Sequence, residues 1–342
     1  MMTVLAESGW LPDGLLRFAM RRLLSQRLRN ERARQPTPES YKHELMLVLQ
    51  QGPMAIAQDD ANAQHYEVPS AFYQIALGPR LKYSSCYWPQ GVTELAAAEE
   101  AMLTLTCQRA QLENGQHILE LGCGWGSLSL WMAEKYPQSR ITAISNSASQ
   151  KTFIDEQAGN RGLSNLTVIT TDVSQFDTEQ CFDRVVSVEM FEHLRNHRLL
   201  MQRIYDWLTP GGKLFVHLFC HRELFYLFET DGDNDWMARH FFTGGVMPSF
   251  DLLERSGTSL QSEEAWSLNG NHYALTLEAW LVNADREKEK LMPVLVSTYG
   301  EDEAARWLQR WRMFFMACAE LFSYGQGDEW VVGHFLFSKQ VA

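Results

Sequence analysis

The chain has 342 residues, of which 45% are hydrophobic and 12% aromatic, and its formal net charge is −12 at pH 7. This hydrophobic content supports a substantial core and argues against disorder, and the length fits one large α/β domain with elaborations or two domains. The negative charge argues against nucleic-acid binding, which depends on cationic contacts with phosphates. The six cysteines include no CxxC pair and do not suit a disulfide framework, so the sequence predicts a cytoplasmic protein.

Residues 1–95 are predicted to form an N-terminal helical and lid segment. Residues 1–60 have helical patterns with breakers, and 61–95 are aromatic and rich in turn residues. Residues 17–34 carry seven Arg against one Glu, with apolar residues at helical spacing. Such a helix suits a lipid surface, the acidic body of the protein or a second subunit. We favour docking on the body or on a second subunit, while membrane contact and a homodimer stay open. No signal peptide or transmembrane segment is predicted.

Residues 96–342 are predicted to form an α/β domain. After a helix at 96–112, strand and helix patterns alternate, which is typical of a doubly wound parallel sheet of the Rossmann-like type. The strand candidates are 117–121, 140–145, 166–172, 183–190 and 211–219. Residues 222–310 are richer in helical and aromatic patterns and are interpreted as a helical cap insertion over the carboxyl edge of the sheet. Residues 329–339 alternate like closing strands.

The sequence HILELGCGWGSLSL joins the first strand to a helix through a glycine turn. Gly122, Gly124 and Gly126 permit positive φ and let backbone N–H groups approach a ligand closely. The glycine that would complete a dinucleotide motif is a serine here, and Glu120 ahead of the turn would repel a pyrophosphate. Because Glu120 suits a cationic amino-acid moiety, the pattern predicts that these residues bind the cofactor S-adenosylmethionine.

Further candidates for cofactor binding follow the second and third strands. These residues are Ser145, Asn146 and Gln150 after the second strand and Asp172 and Val173 after the third. Neutral polar side chains can hydrogen-bond the ribose hydroxyls, and the end of the third strand is where we expect the adenine. The alternative for the polar residues after the second strand is helix capping, for which Ser147 is a plausible N-cap.

Several motifs in combination resemble the cyclopropane-fatty-acid-synthase-like methyltransferases. They are ELGCGWG, the Ser–Gln turn after the second strand, SVEMFEH, PGGKLFVH, FFTGGVMPS and FMACAELF. Within that family the sequence is most similar to the coclaurine-type N-methyltransferases, which act on benzylisoquinoline alkaloids, and the resemblance runs from about residue 40 to the C-terminus. It implies a class I methyltransferase fold and an S-adenosylmethionine-dependent methyltransferase activity.

The resemblance also implies roles for individual residues. Tyr83 and Ser84 would meet the methionine part of the cofactor along with Gly122, whereas Gln150 would reach the ribose. Asp172 and Val173 would lie at the adenine.

The cyclopropane synthases of this family resemble one another in a site that holds bicarbonate. The resemblance matches Glu192, His217 and Tyr273 to members of that site. The position of its cysteine is Ser85, and Phe219 stands where a smaller aliphatic residue would be. The incomplete set argues against cyclopropanation and favours the branch that keeps only the Glu-x-x-Glu-His motif.

Glu189, Glu192 and His193 follow the fourth predicted strand in the sequence VVSVEMFEH. In a parallel sheet, this is the edge at which chemistry is placed. An alkylamine that resembles Lys has a pKa of about 10.4 and is protonated at neutral pH, so a base must accept its proton before or during methyl transfer. We therefore predict that Glu192 and His193 remove the proton and that Glu189 orients the amine.

Two alternatives stay open for this cluster. Its members could cap the following helix and pair with Arg195 or Arg198. The sequences HLRNH and HLFCH have histidines at a spacing that invites a metal. HLRNH lacks the internal Glu of a zinc-protease helix, and HLFCH is expected to extend beyond the end of a strand. No metal is therefore predicted.

Taken together, these patterns predict an S-adenosylmethionine-dependent N-methyltransferase for a small aromatic or cyclic amine, to which a benzylisoquinoline-like compound would conform. The rivals are a lipid-modifying methyltransferase or cyclopropane-fatty-acyl-phospholipid synthase, and a cofactor-binding protein without catalysis. The candidate pocket walls are Tyr87, Trp88, Trp236, Phe241, Phe242, Tyr273 and Phe322.

Overall fold

The computed structural model describes residues 2–56, 68–228 and 236–341. The chain divides into two compact units, which we name the helical unit and the sheet unit. The helical unit comprises Met1–Pro36, Val68–Ala101 and Asn269–Val331, and the sheet unit comprises Thr37–Glu67, Met102–Leu268 and Val332–Ala342. Each unit contains residues from both sides of position 95, and the division of the chain at that position stays a prediction.

Helices precede an alternation of strands and helices along the described chain. The helices are α1 (Met2–Glu7), α2 (Asp13–Arg34), α3 (Pro38–Gln50), α4 (Ser70–Ala76), α5 (Leu95–Arg109), α6 (Ser127–Lys135), α7 (Ala148–Asn160), α8 (His197–Trp207), α9 (Trp236–His240), α10 (Asn271–Arg286), α11 (Lys288–Tyr299) and α12 (Glu301–Phe322). The strands are β1 (His117–Leu121), β2 (Arg140–Ser145), β3 (Leu166–Thr170), β4 (Phe182–Val188), β5 (Leu208–His221), β6 (Tyr226–Leu227), β7 (Val246–Met247), β8 (Gln261–Leu268) and β9 (Trp330–Ser338). Among the helices of the described ranges, none is both long and apolar enough to cross a membrane.

The helical unit is built around α12, which packs against α2, α10 and α11. Its core is aromatic, since Trp280, Trp311 and Phe315 are fully buried. The ring centroid of Phe315 lies 5.8 Å from that of each tryptophan. Aromatic pairs at these separations contribute beyond the apolar area that they bury, so the tryptophans in these helices have a structural task.

The basic helix α2 docks on acidic side chains of the helical unit. Arg17 forms ion pairs with Glu278 at 2.6 Å and with Glu320 at 3.2 Å. Arg21 pairs with Glu320 at 3.0 Å. These contacts confirm the interpretation in which the segment 17–34 docks on the acidic body of the protein.

The sheet unit contains a seven-stranded sheet in the order β3-β2-β1-β4-β5-β9-β8. The strands β1 to β5 pair in parallel, and β8 and β9 pair antiparallel. Because α6, α7 and α8 connect the parallel strands, the predicted Rossmann-like α/β fold is confirmed. The strand order reverses between β1 and β4, which is the point at which open α/β sheets bind ligands.

The core of the sheet unit lies between the parallel strands and the helices that connect them. Ile118, Val186 and Phe215 are fully buried and pack with Leu128 and Met132 of α6. Helices cover the inner strands, and Leu119, Val185 and Val216 in the middle of these strands are fully buried. The strands therefore hold their carboxyl ends at fixed relative positions.

The predicted cap insertion at 222–310 needs one correction, because it contains the sheet strand β8. This strand pairs with β9 at the edge of the sheet, and its sequence QSEEAWSL is mostly exposed. An edge strand with charged side chains lacks the apolar pattern of an inner strand, so the local sequence does not predict it. The closing strands predicted at 329–339 form the single strand β9.

Asn196 generates a prediction about stability. Its Oδ1 accepts a hydrogen bond from the N–H of Leu199 at 3.1 Å, and its Nδ2 donates to the carbonyls of Gln50 and Gly52 at 3.0 Å. Asn196→Ala should lower the free energy of unfolding by about 2 kcal/mol, measured by urea denaturation, because it removes a helix cap and two buried donors. Gln202→Ala, at an exposed position of the same helix, should change this free energy by less than about 0.5 kcal/mol. Equal stability of Asn196→Ala and the wild type would contradict the capping role.

Candidate active site

A cleft in the sheet unit lies at the carboxyl ends of the parallel strands and contains about 700 Å³ of space. Predicted site residues line it: Gly122, Gly124, Ser145, Asn146, Gln150, Asp172, Val173 and His193. Residues without a predicted role also line it: Ile144, Thr171, Met190, Leu194 and Thr243. The parallel sheet thus brings the ends of separate strands into one site.

The glycines of the turn after β1 have different tasks. The φ angles of Gly122, Gly124 and Gly126 are +78°, +52° and +78°. A Cβ at Gly122 would lie 2.7 Å from Met190 Cγ, and one at Gly126 would lie 2.6 Å from Ile154 Cγ1. A Cβ at Gly124 would meet no atom within 4 Å in the described structure. Gly122 and Gly126 therefore permit close packing, whereas Gly124 leaves room in the cleft for a ligand.

Gln150 presents an amide donor at the wall of the cleft. Its side chain is 1% exposed, and its Oε1 accepts a hydrogen bond from Ser145 Oγ at 2.7 Å. Its Nε2 has no hydrogen-bond partner among the described residues, which costs about 1–3 kcal/mol. A ribose hydroxyl would accept this hydrogen bond, so the site fits the adenosyl group of S-adenosylmethionine. Capping of α7 falls to Ser147, whose side chain accepts a hydrogen bond from the Gln150 N–H.

Glu120 is buried at the end of β1. Ser129 Oγ donates a hydrogen bond to its carboxylate, and burial raises the pKa of Glu120 to about 7 while that hydrogen bond opposes the shift. Glu120 and Gly126 are not among the residues that line the cleft in the described structure. Their contact with the cofactor stays a prediction.

Tyr83 and Ser84 belong to the helical unit. The ring centroid of Tyr83 lies 5.1 Å from that of Tyr73 and 5.5 Å from that of Trp280. Lys82 Nζ donates a hydrogen bond to Ser84 Oγ at 2.5 Å. The contacts of Tyr83 and Ser84 with the methionine part of the cofactor stay predictions.

Glu189 has a left-handed backbone directly after β4, with φ of +48°. Such a conformation costs about 1–3 kcal/mol at a residue other than glycine and persists where the surroundings enforce it. The Glu189 N–H donates to the carbonyl of His217 at 2.8 Å, and its Oε1 accepts a hydrogen bond from His217 Nε2 at 3.1 Å. His217 on β5 therefore holds both the backbone and the carboxylate of Glu189.

Glu192 is fully buried. Its Oε1 accepts a hydrogen bond from the N–H of Phe219 at 2.7 Å, and its Oε2 has no partner among the described residues. Burial raises the pKa of Glu192 well above its ordinary value, and the neighbouring charge of Glu189 raises it further. A carboxyl group in these surroundings is suited to exchange protons with a weakly acidic partner.

His193 lines the cleft and ends the short 3₁₀ turn Phe191–His193. Its ring centroid lies 4.8 Å from that of Phe242, one of the predicted pocket walls. The alternative in which this cluster caps α8 is wrong, because Asn196 accepts the hydrogen bond from the Leu199 N–H at the start of that helix. Within the described residues, no group of three or more His, Cys, Asp or Glu is arranged to hold a metal ion.

The predicted pocket walls are divided between the units. In the sheet unit, the Phe242 ring packs against Phe219 with centroids 5.5 Å apart. In the helical unit, Tyr273 stacks on Phe322 with centroids 4.4 Å apart. Contact of these rings with a substrate stays a prediction.

The site and the sheet match a known family. The family model described as mycolic acid cyclopropane synthetase matches residues 55–331. The chain belongs to this family. It is 37% identical to the (S)-coclaurine N-methyltransferase of Thalictrum flavum subsp. glaucum, over 98% of this chain and 94% of that protein. It is 34% identical to the pavine N-methyltransferase of the same plant, over 98% of this chain and 95% of that protein.

A solved structure is also similar to this chain. The crystal structure of coclaurine N-methyltransferase bound to N-methylheliamine and SAH matches with a TM-score of 0.94 and 34% identity, and it covers 98% of this chain and 97% of that chain. The cyclopropane-fatty-acyl-phospholipid synthase of Escherichia coli K12 is more distant, with 28% identity over 81% of this chain and 67% of that protein. These similarities confirm the class I methyltransferase fold, S-adenosylmethionine as cosubstrate and the N-methyltransferase prediction.

Gly124 generates a prediction about cofactor binding. Gly124→Val should abolish binding of S-adenosylhomocysteine, measured by titration calorimetry, because its side chain would fill the cleft beside the turn. Gly162 is the matched control, with φ of +67° and no atom within 4 Å of an added Cβ in the described structure. Gly162→Val carries a similar backbone strain away from the cleft and should bind normally. Normal binding by Gly124→Val would contradict the placement of the cofactor.

The unpaired amide of Gln150 generates a second binding prediction. Gln150→Leu should weaken binding of S-adenosylhomocysteine about tenfold, measured by calorimetry, because one hydrogen bond to a ribose hydroxyl is lost. Ser145→Ala removes the hydrogen bond to the Gln150 carbonyl and the acceptor of the Ser147 N–H but leaves the Gln150 donor in place, and it should have the smaller effect. A larger loss in Ser145→Ala than in Gln150→Leu would show that Gln150 does not contact the ligand.

Proposed function

We propose that the methyl acceptor is the nitrogen of a small cyclic or aromatic amine of the benzylisoquinoline type. The observation that carries this proposal is the Glu192 carboxyl, which is fully buried with one oxygen unpaired among the described residues. An ammonium N–H would satisfy that oxygen, whereas an acyl chain has no donor to offer. The proposal is also supported by the relatives, whose names include coclaurine and pavine N-methyltransferases.

An amine substrate must lose a proton before its nitrogen can accept a methyl group. An amine with a pKa of about 10 has its lone pair bound to a proton at neutral pH and cannot attack a methyl group. Glu192 or His193 accepts this proton, and the resulting free lone pair becomes the nucleophile. The ionised Glu189 attracts and orients the cationic amine before the proton leaves. S-adenosylmethionine, when bound, supplies the electrophilic methyl group.

The residues of the cleft would hold the cosubstrate in this scheme. Gly124 would allow its close approach, and the unpaired Gln150 Nε2 would donate to the ribose. Asp172 and Val173 line the same cleft, and the adenine would lie against them. The contribution of this site is to hold the amine and the methyl donor in one fixed geometry, which can lower a barrier by roughly 7–11 kcal/mol.

Cyclopropanation of lipids is disfavoured by His217. Both of its ring nitrogens have hydrogen-bond partners within the protein, Glu189 at 3.1 Å and His334 at 3.1 Å. A bicarbonate ion would have to displace one of them. Together with Ser85 in place of a cysteine, this arrangement supports N-methylation over the lipid-modifying alternative.

We also propose that the protein acts in the cytoplasm on a diffusible amine. The six cysteines without a CxxC pair support a reducing compartment. A homodimer and a contact of 17–34 with a membrane stay alternatives that the sequence leaves open.

Glu192→Gln tests the proton acceptor. The variant should lower the turnover number about 10²–10⁴-fold while cofactor affinity is unchanged, because glutamine keeps the acceptor for Phe219 but takes up no proton. Because burial raises the pKa of Glu192, the wild-type turnover number should fall as the pH drops through that raised pKa, and this fall should be weaker in Glu192→Gln. Full activity of Glu192→Gln would refute the proton-acceptor role.

A thermal melt provides the control for misfolding. The folded state raises the pKa of Glu192, so the folded protein binds this proton more tightly than the unfolded chain does. Glu192 therefore contributes stability at low pH that is lost as the pH rises toward the raised pKa. Glu192→Gln resembles the protonated form and should melt at or above the wild-type temperature at neutral pH.

The substrate class itself is tested by incubating the protein with labelled S-adenosylmethionine and a mixture of amines and phospholipids. Label in fatty acyl chains would refute the amine proposal.

A further inference from the structure

A chain of hydrogen bonds crosses the sheet unit and ends on Glu189. Arg109 Nη1 lies 2.9 Å from His334 Nδ1, and His334 Nε2 lies 3.1 Å from His217 Nδ1. His217 Nε2 in turn lies 3.1 Å from Glu189 Oε1. These four residues belong to the same unit, and both imidazoles are fully buried. Two buried polar rings in a sheet core are costly unless each nitrogen has a partner, and here each has one.

The order of the strands brings these side chains together. β9 lies beside β5, and β5 lies beside β4, so His334, His217 and Glu189 follow one another across the sheet. On the far side of β9, Trp266 of β8 is the register partner of His334. The Arg109 guanidinium lies 4.7 Å from the centroid of the Trp266 ring. This cation–π contact holds Arg109 in place at the first position of the hydrogen-bond chain.

Arg109 sets the direction of every bond in the chain. A guanidinium has N–H donors and no acceptor, so Nδ1 of His334 carries a lone pair and the proton of this ring is on Nε2. That N–H donates to Nδ1 of His217, whose own proton is therefore on Nε2. The His217 N–H then donates to the Glu189 carboxylate. Both rings are neutral, because a second proton on either would turn two donors toward each other.

We propose that Arg109, His334 and His217 are positioning residues that hold Glu189 as an ionised acceptor beside Glu192. A fixed anion at Glu189 attracts a cationic amine and disfavours a second negative charge on Glu192, so the two carboxylates take different roles. The catalytic role of this hydrogen-bond chain rests on the proposed function. The proton positions do not, since they follow from the hydrogen-bond partners alone.

Nitrogen-15 NMR of histidine-labelled protein without substrate tests the proton positions. At neutral pH, the signals that disappear in His217→Asn and in His334→Asn should be those of neutral rings with the proton on Nε2. Arg109→Met retains an unbranched chain over Trp266 but no donor, so the His334 ring should lose its fixed tautomer. Arg109→Lys retains a donor and should preserve that tautomer. A cationic ring or an Nδ1–H ring at either position of the wild type would overturn the proposal, as would unchanged spectra in Arg109→Met.

Kinetics test the positioning role. Arg109→Met should lower the turnover number about 10- to 100-fold, by analogy with the loss that follows removal of a hydrogen-bond partner that orients a metal ligand. Affinity for S-adenosylhomocysteine should not change, and Arg109→Lys should recover part of the turnover. Arg184 is the matched control, since its Nε donates to the carbonyl of Ala110 beside Arg109 at 3.1 Å. Arg184→Met disturbs the same end of α5, but Arg184 is not part of the hydrogen-bond chain, so this variant should retain its turnover.

The outcomes separate the two proposals. An equal loss of turnover in Arg109→Met and Arg184→Met would show that the effect is structural and would overturn the positioning role. A wild-type protein that methylates no amine would refute the proposed function, and the NMR spectra would still decide the proton positions.

Discussion

The Glu192 carboxyl is removed from water at the end of a parallel strand, where its one bonded oxygen accepts the N–H of Phe219. That bond is available because β4 and β5 pair in a register that places Val188 beside His217, so the turn after β4 folds onto the exit of β5. The left-handed backbone of Glu189 starts this turn. Strand pairing, strained backbone and buried acid are therefore parts of one arrangement.

Met190 links this acidic turn to the glycine turn. Its side chain occupies the space that a Cβ at Gly122 would need, at 2.7 Å. Met190, which lies between the two glutamates in sequence, thus packs against the glycine turn, and both Met190 and Gly122 line the cleft. Because protein interiors are close-packed, a shift of the glycine turn would be transmitted to the carboxylates. This contact therefore fixes the spacing between the glycine turn and the acidic turn.

Local patterns were sufficient for the parallel half of the sheet. The strands at 117–121 and 140–145 have the predicted bounds, because hydrophobic periodicity is a local property. β8 escaped prediction since its exposed, charged face resembles a loop. Arg109 and His334 escaped because their meeting depends on β9 lying beside β5, and no local pattern encodes the order of strands distant in sequence.

A family that includes both lipid and amine enzymes needs a physical reason for the choice of acceptor, and the buried acids provide one under the proposed function. An acyl chain entering the site would leave Glu192 Oε2 without a partner and would place apolar surface beside the anion at Glu189. An amine satisfies the first group by a hydrogen bond and the second by its charge. Sites built to hydrogen-bond a substrate reject analogues without the donor by about 10⁴–10⁵-fold. Discrimination of this size would come from the desolvated acids alone, before the aromatic pocket walls select among amines by shape.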